Sequence, residues 1–164
     1  MTAVTEEQAT QLSDQLAAFC NEAAELRASP GPSDINETLP DLHARLVRSR
    51  QAQDRIEEIL GLIIRLRGVT RKRARACKDE LEDKLGRVIR GTKTAEYSTA
   101  REREAAYEVG AFEEKRAWRA AEKMLANVEM AYEFVQLKHR GIDTARRDIE
   151  TRVRIVSLDG RLGG

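Results

Sequence analysis

Residues 65–78 hold seven cations and no acid: Arg65, Arg67, Arg71, Lys72, Arg73, Arg75 and Lys78. Guanidinium forks and flexible ammonium groups bind phosphate oxygens, and each neutralised phosphate releases counterions. On a helix of 3.6 residues per turn, Lys72, Arg75 and Asp79 share one side and Arg67, Arg71 and Lys78 another, so charge wraps much of the surface. The chemistry this points to is binding of single-stranded DNA or another polyanion. The alternative is a solvated face paired with acids of a neighbouring helix or of the chain's own N-terminus. No aromatic lies between Phe19 and Tyr97 to stack on bases. Binding here would therefore be electrostatic, sequence-tolerant and salt-dependent. No groove-reading motif accompanies it.

Groups suited to catalysis are scarce. His139 falls in an apolar helical stripe, where it packs or caps, and His43 stands among charges at a helix start. There is no Gly-rich phosphate loop, no nucleophile elbow and no zinc-binding HExxH. The acid pairs Glu57/Glu58, Asp79/Glu80, Glu82/Asp83 and Glu113/Glu114 read as solvated helix faces. Cys20 and Cys77 are far apart with no CxxC partner, so they read as small buried or half-buried thiols. The reading is a non-enzymatic protein with no catalytic residues, no metal and no cofactor.

The elements that must carry the basic segment are helices. Trp118, Ala121, Leu125, Val128, Tyr132, Val135 and His139 follow at alternating steps of three and four, and Met124, Ala131 and Phe134 add a second row. That spacing predicts a long helix over 99–139, started by a Thr99/Glu102 capping box and stopped by Gly141. A second long helix is predicted from Thr38/Asp41 to about Arg90, with a bend near Gly68 allowed and a stop at Gly91. Its apolar phase runs Leu42, Leu46, Ser49, Gln53, Ile56, Leu60, Ile63, Arg67, Thr70, Ala74, Cys77 and Leu81. Thr92–Ser98 reads as a loop. Asp143 is expected to start a last helix burying Ala145, Ile149, Val153 and Val156, ahead of a fraying tail at 157–164. At the other end, a helix capped by Thr5/Gln8 has the stripe Ala9, Leu12, Leu16, Phe19, Ala23 and Leu26.

All three prolines fall between Ser29 and Pro40. Proline disfavours helix before it, so the organisation reads as an acidic helix (1–28), a Pro-rich linker (29–40), a helical oligomerisation and binding domain (41–156) and the tail. The net charge of +1 conceals separated blocks. Residues 1–42 carry eight acids against one base (−7), and residues 43–78 carry eleven bases against three acids (+8). Blocks of this size suit partner surfaces. With 35% charged residues and 4% aromatics among 164 residues, the composition is that of a long-helix or coiled-coil protein. Such a chain has few large side chains to close a core alone. A homo-oligomer built on Trp118, Ala121, Leu125, Val128, Tyr132, Val135, Ile149 and Val153 is expected. No apolar run approaches a membrane span and no signal peptide is evident, so no membrane partner and a cytoplasmic location are expected.

The fold class predicted is all-α, with long antiparallel helices, coiled-coil-like seams and a tethered N-terminal helix. That layout resembles the UvsY-type recombination mediators of bacteriophages. Two stretches carry the resemblance: the basic helix Arg71-Lys-Arg-Ala-Arg-Ala-Cys-Lys78, and Trp118–Leu137 followed by Lys138-His-Arg-Gly-Ile142. It covers about residues 45–156. The acidic arm and the Pro-rich linker depart from it, as does the lack of aromatics near the basic segment. What the resemblance implies is a ring-forming oligomer in a bacterial host cell. It would bind single-stranded DNA and help load a recombinase onto strands covered by a single-strand-binding protein, either of which would be a partner. The alternative is a phage virion, scaffold or adaptor protein, with the basic helix paired to acids or packaged DNA. A small regulator acting through the acidic arm is a third reading.

Overall fold

The structure, a computed structural model, describes residues 6–27, 37–91 and 99–162. Regular structure among them is helical throughout: α1 (Glu6–Glu25), α2 (Leu39–Gly91), α3 (Ala100–Gly110) and α4 (Phe112–Leu162). No helix is long and apolar enough to cross a membrane among the described residues.

Burial follows a seven-residue period. In α2, Leu42, Ser49, Ile56, Ile63, Thr70 and Cys77 are all buried, and in α4 Ala121, Val128, Val135, Ile142 and Ile149 are buried. An ideal helix drifts by about 20° per heptad, so a strict repeat of seven holds one narrow face inward over a long run. The chain divides into two compact units, Met1–Asp14 with Arg65–Glu129 and Gln15–Ile64 with Met130–Gly164. The division falls within α1, α2 and α4.

In the first unit, α2 and α4 are antiparallel: Arg71 pairs with Glu129, and Lys84, further along α2, reaches back to Glu114. Between these pairs Ala74, Cys77 and Ala121 form a buried cluster, with Trp118 and Leu125 packed against it. Small side chains at the centre let the backbones approach, and the larger ones close the sides. In the second unit the same sense holds, with Arg50 near Glu150 (3.6 Å) and Glu57 near His139 (3.3 Å). There α1 lies against α2: Arg55 grips Glu22 through two nitrogens, and Leu16 and Ala23 are buried.

Two helix starts match the sequence reading. Thr99 accepts from the Glu102 amide, and the Glu102 carboxylate accepts from the Thr99 amide, which is the reciprocal capping box. Thr38 and Asp41 make the equivalent exchange before α2. Pro40 sits in the first turn of α2, where its missing N–H costs nothing, so the helix begins inside the predicted linker. The Thr5/Gln8 cap, most of the linker and the loop 92–98 lie outside the described residues.

Three expectations require correction. The helix predicted over 99–139 is two helices, because Ala111 leaves helical geometry (φ −124°, ψ 22°) and is buried at the junction. Just before it, a Cβ on Gly110 would meet Val88 at 2.9 Å, so glycine is what lets α3 close on α2. Gly141 does not stop α4. Ile142 is buried in the same heptad phase, and Asp143 supports the next turn through Arg146 (3.1 Å) and Arg147 (2.8 Å). These contacts outweigh the ~1 kcal/mol a helical glycine costs. Asp143 is therefore interior to α4, with no separate last helix. The tail is helical as far as Leu162, and Ser157 bonds back to the Val153 carbonyl at 2.6 Å.

Candidate nucleic-acid interface

The basic segment lies on α2 in the first unit, and its inward side is set by Thr70, Ala74 and Cys77. Thr70 would bring an unsatisfied hydroxyl into that side. It instead donates to the Leu66 carbonyl at 2.9 Å, a back-bond a helix tolerates. With those residues inward, helical geometry assigns the cations to three settings.

Arg67 and Arg71 flank the buried side and converge on one carboxylate. Arg67 lies 2.7 Å and Arg71 2.8 Å from the Glu129 oxygens. The hydrogen bond from Arg67, with that from Arg71 and the charge of both, holds the Glu129 carboxyl below the ordinary carboxylate range. Arg73, on the other flank, is half-buried. Arg65, Lys72 and Arg75 point away from the core and are exposed, and among the described residues none of the three has an ion-pair partner. Lys78 is exposed too, 3.7 Å from exposed Glu82 on the next turn, a pair of little energetic weight.

The outward row ends abruptly. Asp79, Glu80, Glu82 and Asp83 are all exposed, so one helix passes from a cationic to an anionic surface within a turn. All seven cations are legible in the sequence, whereas Glu129, which engages Arg67 and the still exposed Arg71, is not. The only signal was an acid one residue after Val128, at the edge of the α4 stripe.

The residues assigned to oligomerisation pack within the chain. Ala121, Val128, Val135 and Ile149 are buried, and Trp118, Leu125, Tyr132 and Val153 are half-buried. Of the second α4 row, Ala131 is buried, Met124 half-buried and Phe134 exposed.

The remaining titratable groups have structural surroundings. His139 lies within the run of α4, beside Glu57, whose carboxyl is lowered by hydrogen bonds from Gln53 and then His139. His43 is exposed. Burial raises both the Cys20 and the Cys77 thiol, which disfavours the reactive thiolate. Among the described residues there is no cluster of three or more His, Cys, Asp or Glu side chains able to hold a metal. A groove of about 520 Å³ is lined by Leu81, Leu85, Tyr107 and Ala111 together with the charged Arg101 and Lys115. Lys115 is engaged by Glu108 at 2.6 Å. No protein-family model, curated protein or solved structure matches the chain.

Proposed function

We propose that this protein is a non-enzymatic, oligomeric single-stranded-DNA-binding protein of the recombination-mediator kind, which helps a recombinase load in a bacterial host cell. The observation that carries the reading is the outward row Arg65, Lys72 and Arg75, with Lys78 exposed on the neighbouring side 3.7 Å from Glu82. Arg65, Lys72 and Arg75 are exposed cations on one helix, and among the described residues none of the three has an ion-pair partner. Arg65 and Arg75 are ten residues apart, so the row runs for about 15 Å along the helix. Such a row tracks a flexible phosphate backbone and reads no bases, which suits a protein that must act on any strand. The resemblance to UvsY-type mediators adds the role in recombinase loading.

The test is fluorescence anisotropy with labelled single- and double-stranded oligonucleotides at two salt concentrations, with mass measured on the same samples. Changing Arg65, Lys72 and Arg75 together to Ala is expected to remove single-strand binding and leave mass and helicity unchanged. Equal affinity of the triple variant and the wild type would overturn the assignment.

A second reading, a structural or assembly protein, is favoured by one observation. Arg67 and Arg71 are held by Glu129 inside the chain. On that reading the segment serves mainly helix packing, and salt-sensitive single-strand binding is absent.

A further inference from the structure

α4 carries another apolar row on the side away from its buried face. Met130, Phe134, Leu137 and Gly141 succeed one another at steps of four, three and four, the spacing of a coiled-coil seam. Met130 is 62%, Phe134 36% and Leu137 69% exposed, whereas Val135, on the inward side, is fully buried. A Cβ on Gly141 would meet nothing within 4 Å, so this glycine has no packing duty inside the chain. Large apolar side chains exposed at seam spacing mark a surface that takes a partner.

The row is complementary to its own reverse. Turned antiparallel about a point between Val135 and Gln136, Phe134 of one copy meets Leu137 of another. Met130 then meets Gly141, a long flexible side chain against bare backbone. The flank obeys the same symmetry. Glu133 and Arg140 lie on one side of the row, both exposed, and among the described residues neither has an ion-pair partner. Seven residues place them about 10 Å apart along the axis, too far to pair within one helix. Reversal sets Glu133 of each copy beside Arg140 of the other, giving two equivalent attractive pairs at the positions that choose partner and orientation. Lys138, on the opposite flank, holds its ammonium over the Phe134 ring, 5.9 Å from its centre. A parallel pairing would set Gly141 against Gly141 and leave a void there.

We infer that a second copy of this chain docks antiparallel on the Met130–Phe134–Leu137–Gly141 face of α4. Thr144 and Asp148, next in phase, end the apolar seam. The contact is therefore smaller than the ~1,200 Å² of a standard stable interface, and pairing needs high protein concentration. It is independent of DNA binding, since none of these residues belongs to the basic segment.

The experiment is sedimentation velocity on the full chain over a concentration series without nucleic acid. It compares the wild type, Leu137→Asp, Glu133→Arg, Arg140→Glu and an equimolar mixture of the last two. Leu137→Asp is expected to stay monomeric. Each charge reversal makes two attractive pairs repulsive and weakens association roughly tenfold. The mixture regains wild-type association, because each Glu133→Arg chain then faces Glu at both positions of an Arg140→Glu chain. All three sites are exposed, so circular dichroism should be unchanged. A wild type monomeric throughout the series, association indifferent to Leu137→Asp, or a mixture no better than its components would each overturn the inference. Anisotropy with single-stranded DNA on the same proteins reads the basic row separately.

Discussion

Replacing Glu129 with Gln tests how the basic segment divides its cations. The carboxylate is the shared acceptor for Arg67 and Arg71 at 2.7 and 2.8 Å. The amide keeps the shape and an acceptor oxygen but loses the charge, so the ion pairs that occupy both guanidiniums are lost and either can turn to a phosphate, while the helices keep their packing at Ala74, Cys77 and Ala121. The consequence appears in the salt dependence of binding, because each phosphate contact on a single strand contributes about −0.7 to the slope of log K against log salt. With Arg65, Lys72, Arg75 and Lys78 each contacting one phosphate, the wild-type slope should be about −2.8. Two released arginines would steepen it by about 1.4. The assay is an anisotropy titration with a labelled oligothymidine across a salt series, paired with thermal melting by circular dichroism. The expected result is tighter binding at low salt, a steeper slope and a lower melting midpoint. An unchanged slope with intact helicity would refute the division into held and outward cations. Loss of binding would instead mean that the clamp itself forms the site.

Other predictions concern the helices. Gly68→Ala should stabilise the protein by about 1 kcal/mol in urea unfolding, because Gly68 is exposed in mid-helix with open space where the Cβ would be. Gly110→Ala should destabilise it by about 1–2 kcal/mol despite better helix propensity, since the new methyl meets Val88 at 2.9 Å; equal stabilisation by both substitutions would remove the packing reason given for the α3–α4 break. The Ser49 hydroxyl is fully buried and has no hydrogen-bond partner among the described residues, so Ser49→Ala should raise stability by about 1 kcal/mol. Acid should unfold the chain in a defined direction. Asp41, Glu57, Glu129 and Asp143 are all lowered, chiefly by hydrogen bonds from Thr38, Gln53, Arg67 and Arg146 respectively. Their contribution is present above the unfolded carboxylate range near pH ~4 and is lost as pH falls through the depressed folded values. A melting midpoint flat from neutral pH to well below that range would contradict it.

Local information settled a good deal. The three-four spacing of apolar residues, the Thr38/Asp41 and Thr99/Glu102 caps and the lack of proline after Pro40 make the helices and their inward faces readable, because each depends on neighbours within a turn or two. The chemistry of residues 65–78 was equally plain, since seven cations without an acid require only the chain itself to be noticed. Tertiary structure decided what those features do. Gly110 and Gly141 are the same residue with opposite outcomes: the chain breaks beside the first, where Val88 closes in, and runs through the second, where Ile142 continues the buried period. The stripe from Trp118 to Val135 is readable as an apolar face, but that α2 packs against its first turns is visible only in the fold. The cations divide because Glu129, 58 residues beyond Arg71, lies opposite them. Periodicity within a helix is a local property. Which side meets a neighbour, and which charge is cancelled there, is set by residues far away in the chain.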